Sequence, residues 1–174
     1  YRAHFVKRLR EVTPPIHRDF SGGRERLDLR YETVSTVTDP EGSPRQILAQ
    51  LLSHQESHRR AELEARQCLS GPHKDDLTVE LDGVSAKAFA SQGQTRTAAL
   101  SLKLASREIF FHETGEWPVL LLDDVLSELD QRRQEFVLRR ITGGQVFITC
   151  CEDVGLNRLG EGKTFRIRNG QLVS

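Results

Sequence analysis

Methionine is absent from the 174 residues, and the chain opens on Tyr1. Without an initiator residue, it is expected to be a piece of a longer protein. Cysteine is scarce: Cys68, Cys150 and Cys151 are the only three, and two of them are adjacent. That number builds neither a disulfide framework nor a four-ligand zinc site, so reduced thiols and a cytoplasmic setting are expected. No apolar run approaches the roughly 18 residues of a membrane span, and no signal-peptide pattern opens the chain. No membrane partner is therefore expected. Net charge is zero, which removes any global electrostatic case for a nucleic-acid partner. A phosphate-cradling loop is missing as well. Gly162-Lys163-Thr164 looks like the end of one, but the pattern needs a glycine where Asn157 stands. It also leads into a strand, whereas such a loop must open a helix.

What is present centres on Val119-Leu120-Leu121-Leu122-Asp123-Asp124-Val125-Leu126-Ser127-Glu128-Leu129-Asp130. The unbroken apolar run predicts a strand buried on both faces, typical of a parallel sheet. Ligands of open parallel sheets gather at the carboxyl ends of the strands, where Asp123 and Asp124 would lie. Two adjacent carboxylates there are costly without a cationic or hydrogen-bonding partner, and a metal ion bound to phosphates would be one. A strand ending in a polar turn, its carboxylates capping the next helix, would read the same way. Charge is uneven along the chain. Residues 1–60 carry 11 basic and 8 acidic side chains, residues 61–130 carry 6 and 13, and residues 131–174 carry 8 and 4. The acidic excess surrounds the two aspartates and suits a divalent cation, or simply a solvated acidic face.

Taken in order, Phe5, Leu9 and Val12 predict an amphipathic helix stopped by Pro14-Pro15. Ser21-Gly22-Gly23 is a turn, and Leu27, Leu29 and Tyr31 alternate with charged residues as a half-buried strand. Ser43-Pro44 opens a helix to about Cys68, with Ile47, Leu48, Leu51 and Leu52 expected on its inner face. Leu77–Leu81, the turn Asp82-Gly83, and Val84, Ala86 and Ala88 predict a β-hairpin. Ser91-Gln92-Gly93-Gln94 falls at or just before a helix N-terminus, with Ala98, Leu102, Ala105 and Ile109 marking the helix. Such a place offers free N–H groups to an anion, or is an ordinary serine N-cap. Ser127 and Asp130 are spaced as a capping box for a helix ending at Gly143-Gly144. Val146–Ile148 predicts a second buried strand, parallel to the first, and Thr164–Val173 a terminal hairpin.

Three blocks read together, Gly71-Pro72-His73-Lys74-Asp75-Asp76, Ser91-Gln92-Gly93-Gln94-Thr95-Arg96 and Leu121–Asp130, with Gly144–Thr149 behind them, resemble the RecF family. These are bacterial DNA-repair ATPases with an ABC-type head, related to the SMC proteins. The resemblance runs from about Ser21 to the end. It implies an α/β fold: the C-terminal lobe of an ABC-type P-loop ATPase head from residue 71 to 174, with part of a mainly helical arm and one strand in residues 1–70. It implies that Asp123 is the Walker B carboxylate, holding Mg2+ through water, and that Asp124 is the catalytic carboxylate, at a position where ABC ATPases usually place Glu. Ser91, Gln92, Gly93 and Gln94 match the signature motif, which binds nucleotide held by the opposite subunit. Ser127, Glu128 and Asp130 match the loop crossing the dimer interface.

Two departures stand out: Lys74 where the family usually has Arg, and Cys150 near the position of the usual switch His. The implied cofactors are ATP and Mg2+. The implied partners are gapped DNA, or double-stranded DNA next to single-stranded, a second copy of the protein, and recombination mediators such as RecR. The implied function is ATP-driven dimerisation on DNA, slow hydrolysis and help in loading recombinase onto gaps. The competing reading is a structural or interaction fragment of an SMC-like protein that does not hydrolyse ATP. A nuclease built on Asp123-Asp124 lacks the further ligands that two-metal chemistry needs. Arg24, Arg26, Arg30, Arg132, Arg133, Arg139 and Arg140 are the candidate basic surface, with solvated surface the default for exposed arginines.

Overall fold

The computed structural model describes residues 1–127, 129–151 and 162–173. Two compact units emerge, Tyr1–Gly115 and Glu116–Ser174.

The first unit is built on two long helices, α1 (Arg2–Ser21) and α4 (Gln92–Thr114). Ala3, Val6, Leu9, Thr13, Ile16, His17 and Phe20 recur at helical spacing and form the buried stripe of α1. Against it, α4 buries Ala98, Leu104, Ala105 and Ile109. The helix does not stop at Pro14-Pro15, contrary to the sequence expectation; both prolines lie inside it. The carbonyls that lose their donors to these prolines belong to Arg10 and Glu11, four residues earlier, and both residues are exposed. Water can serve those carbonyls, so the break costs less than it would on the packed face. The helix ends instead at Gly22, in the left-handed conformation with φ 71°.

Beyond the turn, β1 (Leu27–Glu32) pairs antiparallel with β2 (Asp76–Leu81), Leu27 opposite Leu81 and Glu32 opposite Asp76. Its Leu27 and Leu29 face inward while Arg30 and Glu32 are exposed. Asp82 and Gly83, at φ 51° and 82°, make the tight turn into β3 (Val84–Ser85). The return strand is shorter than expected. Ala86 and Ala88 belong to a single helical turn, α3 (Ala86–Phe89), which feeds the start of α4. Alanine fits a helix better than a strand, and only Ser85 and Val84 pair with β2.

Between the two paired strands, α2 (Pro44–Ala65) opens on a complete capping box at Ser43 and Gln46, with Pro44 at the first helical position. It buries none of its residues. Leu48 and Leu52, expected on an inner face, are more than half exposed, and Ile47 and Leu51 are only half-buried. The apolar positions are where the periodicity put them, but α2 makes no extensive contact with another helix or strand among the described residues.

In the second unit β4 (Leu120–Asp123) and β5 (Val146–Thr149) pair in parallel, joined by α5 (Gln131–Arg140). The expected parallel pair and crossover helix are present. The expectation of a strand buried on both faces is not met: Leu120 and Leu122 are buried, whereas Leu121 is 64% exposed. Leu126, Val137, Leu138 and Ile141 of the same unit are buried as well, whereas Val119, Leu121 and Phe147 are exposed. Gly143, at φ 76°, lies so close to Trp117 that an added Cβ would meet the indole Nε1 at 2.6 Å. The terminal hairpin, β6 (Ile167–Arg168) and β7 (Gln171–Leu172), turns on Asn169-Gly170 as expected.

Candidate functional site

Each unit presents one candidate segment, and each is built by a strand or helix end. Register sets the first: Asp123 is the last residue of β4 and lies opposite Thr149, the last of β5. The Thr149 hydroxyl donates to Asp123 Oδ1 and accepts from the Asp124 N–H at 3.0 Å. That N–H also reaches the Thr149 carbonyl at 3.1 Å. One threonine therefore fixes both aspartates, and its role was not anticipated from the sequence. The available signal was its place at the carboxyl end of the neighbouring parallel strand, level with Asp123.

Asp124 turns out of the strand at φ 50°, a conformation that Asp and Asn tolerate better than longer residues. Its Oδ1 accepts from the Ser127 hydroxyl at 2.6 Å, and that hydroxyl also reaches the Asp124 carbonyl at 2.8 Å. Both aspartates are exposed. Hard carboxylate oxygens at an open strand end suit Mg2+, which binds through one or two carboxylates plus phosphates and water. Among the described residues, no group of three or more His, Cys, Asp or Glu side chains could hold a metal unaided.

The loop that follows is pinned by α5. Gln134 Nε2 donates to the carbonyls of Leu126 at 2.8 Å and Leu129 at 3.0 Å. Ser127 does not cap the helix, which corrects the capping-box expectation. Asp130 is itself the N-cap, accepting from the Arg133 N–H at 3.0 Å, and Ser127 is spent on Asp124. Glu128 lies outside the described residues. Cys150, just past β5, is half-buried and not in a disulfide.

The second segment opens α4. Ser91 is the N-cap, and its Oγ accepts from the Gln94 N–H at 3.3 Å while Gln94 Oε1 accepts from the Ser91 N–H at 2.8 Å. The serine is thus a true cap. The box leaves the N–H groups of Gln92 and Gly93 ahead of any intrahelical acceptor, and no hydrogen bond from them is found among the described residues. Ser91, Gln92 and Gly93 are exposed, so this helix end has both the donors and the dipole sign to receive an anion. Beneath it, Gln94 Nε2 donates to Glu25 Oε1 at 3.2 Å.

The Gly71–Asp76 block is tied down by its neighbours. Asp75 accepts from the hydroxyls of Tyr31 and, at 2.8 Å, Thr33. Burial first, and the Asp75 carboxylate second, push the Tyr31 phenol up to about 12. Arg2 donates to the Pro72 carbonyl. Lys74 is exposed. Most of the candidate arginines have local partners: Arg26 with Asp28 at 3.0 Å, Arg30 with Glu80, Arg133 with Asp130 at 3.4 Å, and Arg139 with Glu135 at 4.0 Å. Arg140 stacks over Phe136 at 5.7 Å. Arg24 and Arg132 are exposed.

No family model matches the chain. Individual relatives do. The chain is 38% identical to the DNA replication and repair protein RecF of Staphylococcus epidermidis over 99% of its length and 47% of that protein's. It is 42% identical to the protein of the same name from Acetivibrio thermocellus, over 98% of this chain and 46% of the relative. Among solved structures, the recombination mediator protein RecF-ATPrS in the RecFOR pathway matches with a TM-score of 0.79 at 32% identity, over 98% of this chain and 44% of that one. The RecF-ATP structure of the same pathway matches at 0.78 and 31%. The chain spans about half the length of the curated relatives it matches. Those homologues are RecF proteins, the chain corresponds to their C-terminal half, and its α/β fold is theirs.

Proposed function

We propose that this chain, homologous to the C-terminal half of RecF, is the nucleotide-responsive half of an ATP-dependent DNA-repair protein. The observation that carries the reading is the end of β4, where Asp123 and Asp124 are held side by side by Thr149 at the carboxyl edge of a parallel strand pair. Similarity to RecF along nearly the whole chain supports a place in recombinational repair, in a cytoplasmic protein that works with DNA and with mediators such as RecR. Residues to about 70 are read as arm and those beyond as ATPase head, with α1 and β1 tied to the head side by packing on α4 and pairing with β2.

The chemistry follows from the residue types. Phosphoryl transfer to water is mostly positioning and charge neutralisation. Asp123 is oriented by Thr149 to hold Mg2+ through water; bound there, the ion would offset the charge of the nucleotide phosphates. Asp124 is turned away from the strand and kept in one rotamer by Ser127, so it can orient an attacking water and accept its proton. Its carboxylate is one methylene shorter than the usual Glu, which suits slow turnover. In the other unit, Ser91–Gln94 offers two N–H donors at a helix start. We read it as the sensor of the γ-phosphate bound by a second copy, so that ATP joins two subunits and hydrolysis releases them. Ser127, Glu128 and Asp130 are read as part of that interface.

The test uses protein extended to the full length of its relatives. Asp124→Asn keeps the side-chain shape and tolerates φ 50°. Phosphate release should fall by roughly 10²–10⁴-fold, the range for general acid–base groups, while ATP binding persists and the ATP-bound dimer accumulates on sizing chromatography. Asp123→Asn should instead weaken magnesium-dependent nucleotide binding. An Asp124→Asn protein that hydrolyses at the wild-type rate would make that carboxylate structural, whereas unmutated protein that releases no phosphate would favour the non-hydrolysing reading.

A further inference from the structure

The signature segment rests on a hydrogen-bond chain running from α4 through α1 and back. The Ser101 hydroxyl donates to the Thr97 carbonyl at 2.7 Å, which spends its single proton. Towards His17 Nδ1, 3.2 Å away, Ser101 Oγ can therefore only accept, so Nδ1 donates. His17 Nε2 faces Glu25 Oε2 at 3.1 Å. The other carboxylate oxygen, Oε1, accepts from Gln94 Nε2 at 3.2 Å. Gln94 has no freedom to flip, because its Oε1 is claimed by the Ser91 N–H at 2.8 Å. One proton lies between His17 Nε2 and Glu25 Oε2, and on whichever atom it sits, Glu25 Oε1 remains the acceptor for Gln94. The His17 side chain is fully buried and that of Glu25 is 14% exposed, so the pair is shielded from water. Glu25 is further fixed by its own N–H, which donates to Ser21 Oγ at 3.3 Å.

We infer that Glu25 and His17 are positioning residues for the signature segment, acting through Gln94 on the turn that presents the Gln92 and Gly93 N–H groups. Three parts of the sequence, residues 17, 25 and 91–101, are locked into one unit by this chain. A buried His–Glu pair is a poor device for stability alone, since desolvating the two groups costs about what their interaction returns. It is a good device for direction, because each end accepts only one geometry. Gln94 with Glu25 beneath it cannot swing to satisfy an incoming phosphate; the turn stays as built, with its two N–H groups pointing outward. This rests on the reading of Ser91–Gln94 as an ATP sensor.

The experiment uses full-length protein and two variants. Glu25→Ala removes the acceptor beneath Gln94, whereas Glu25→Gln retains an oxygen in the same place. Loss of a charge-assisted hydrogen bond is worth about tenfold or more. The ATP concentration needed to form dimers should therefore rise at least about tenfold in Glu25→Ala. ATP affinity measured below the dimerisation concentration should stay at the wild-type value, and Glu25→Gln should recover most of the loss. Combining Glu25→Ala with Gln94→Ala should cost no more than Gln94→Ala alone, since one acts through the other. Amide exchange at Ser91 and Gln94, which needs no nucleotide, should speed up in Glu25→Ala and return towards wild type in Glu25→Gln. Wild-type dimerisation or wild-type exchange in Glu25→Ala, or fully additive effects of the two alanines, would overturn the inference. Should the unmutated protein fail to dimerise on ATP, or Gln94→Ala leave dimerisation untouched, the sensor reading falls, and with it the role assigned to Glu25.

Discussion

Asp123 and Asp124 were legible because two adjacent carboxylates after an apolar run have few places to go. Their holder was not legible. Thr149 is an ordinary threonine until the parallel register sets it beside Asp123. His17 and Glu25 were hidden for the same reason: 84 residues separate His17 from Ser101, and 69 separate Glu25 from Gln94. No periodicity links such positions. Tyr31 gives a test at this scale. Its phenol is raised from 10.0 to about 12, by burial and then by Asp75, so the fold favours the neutral form. The stabilisation that Tyr31 supplies is therefore complete below about pH 10 and is lost as pH rises through about 12. Urea titrations should show wild type more stable than Tyr31→Phe at pH 8, with the gap narrowing between pH 10 and 12. A gap independent of pH would mean that the phenol is not the group Asp75 holds.

Elements were read well where local chemistry decides them. The Ser43-Pro44 and Ser91–Gln94 helix starts, the Asp82-Gly83 and Asn169-Gly170 turns, and the β4–α5–β5 crossover all follow from caps, left-handed turn residues and apolar runs. They were read poorly where packing decides. The α1 helix continues past Pro14-Pro15 because its buried stripe, carried on by Ile16, His17 and Phe20, pays more than two missing hydrogen bonds on the wet side cost. Leu48 and Leu52 have the right spacing for a buried face, but burial needs a partner as well as a pattern. The helix interior still carries the cost of the prolines. Pro15 is exposed, so Pro15→Ala restores a donor to the Glu11 carbonyl without opening a cavity. It should raise the stability of the first unit, by up to the roughly 3 kcal/mol that proline costs inside a helix. Thermal unfolding followed by circular dichroism checks this; a lower midpoint would mean that Pro15 itself supports α1.

On the scale of the whole molecule, each of the two units carries one candidate segment, the cap of α4 in one and the ends of β4 and β5 in the other, and we propose that each is one half of a nucleotide response. From sequence, both segments are expected together in residues 71–174, and nothing in the order of the motifs marks the division at Gly115. The central claim is that these halves act across a dimer, the Ser91 segment of one copy serving the Asp123–Asp124 site of the other. Complementation tests it most directly. In full-length protein, Ser91→Arg puts bulk where a second subunit's phosphate would dock, and Asp124→Asn removes the base. Each variant alone should release phosphate far more slowly than wild type. Mixed in equal amounts with ATP, Mg2+ and DNA, they should regain hydrolysis. A mixed dimer has one composite site built from an unmutated Asp124 and an unmutated Ser91. If the mixture hydrolyses no faster than the two variants apart, the halves do not meet across subunits, and the account is wrong.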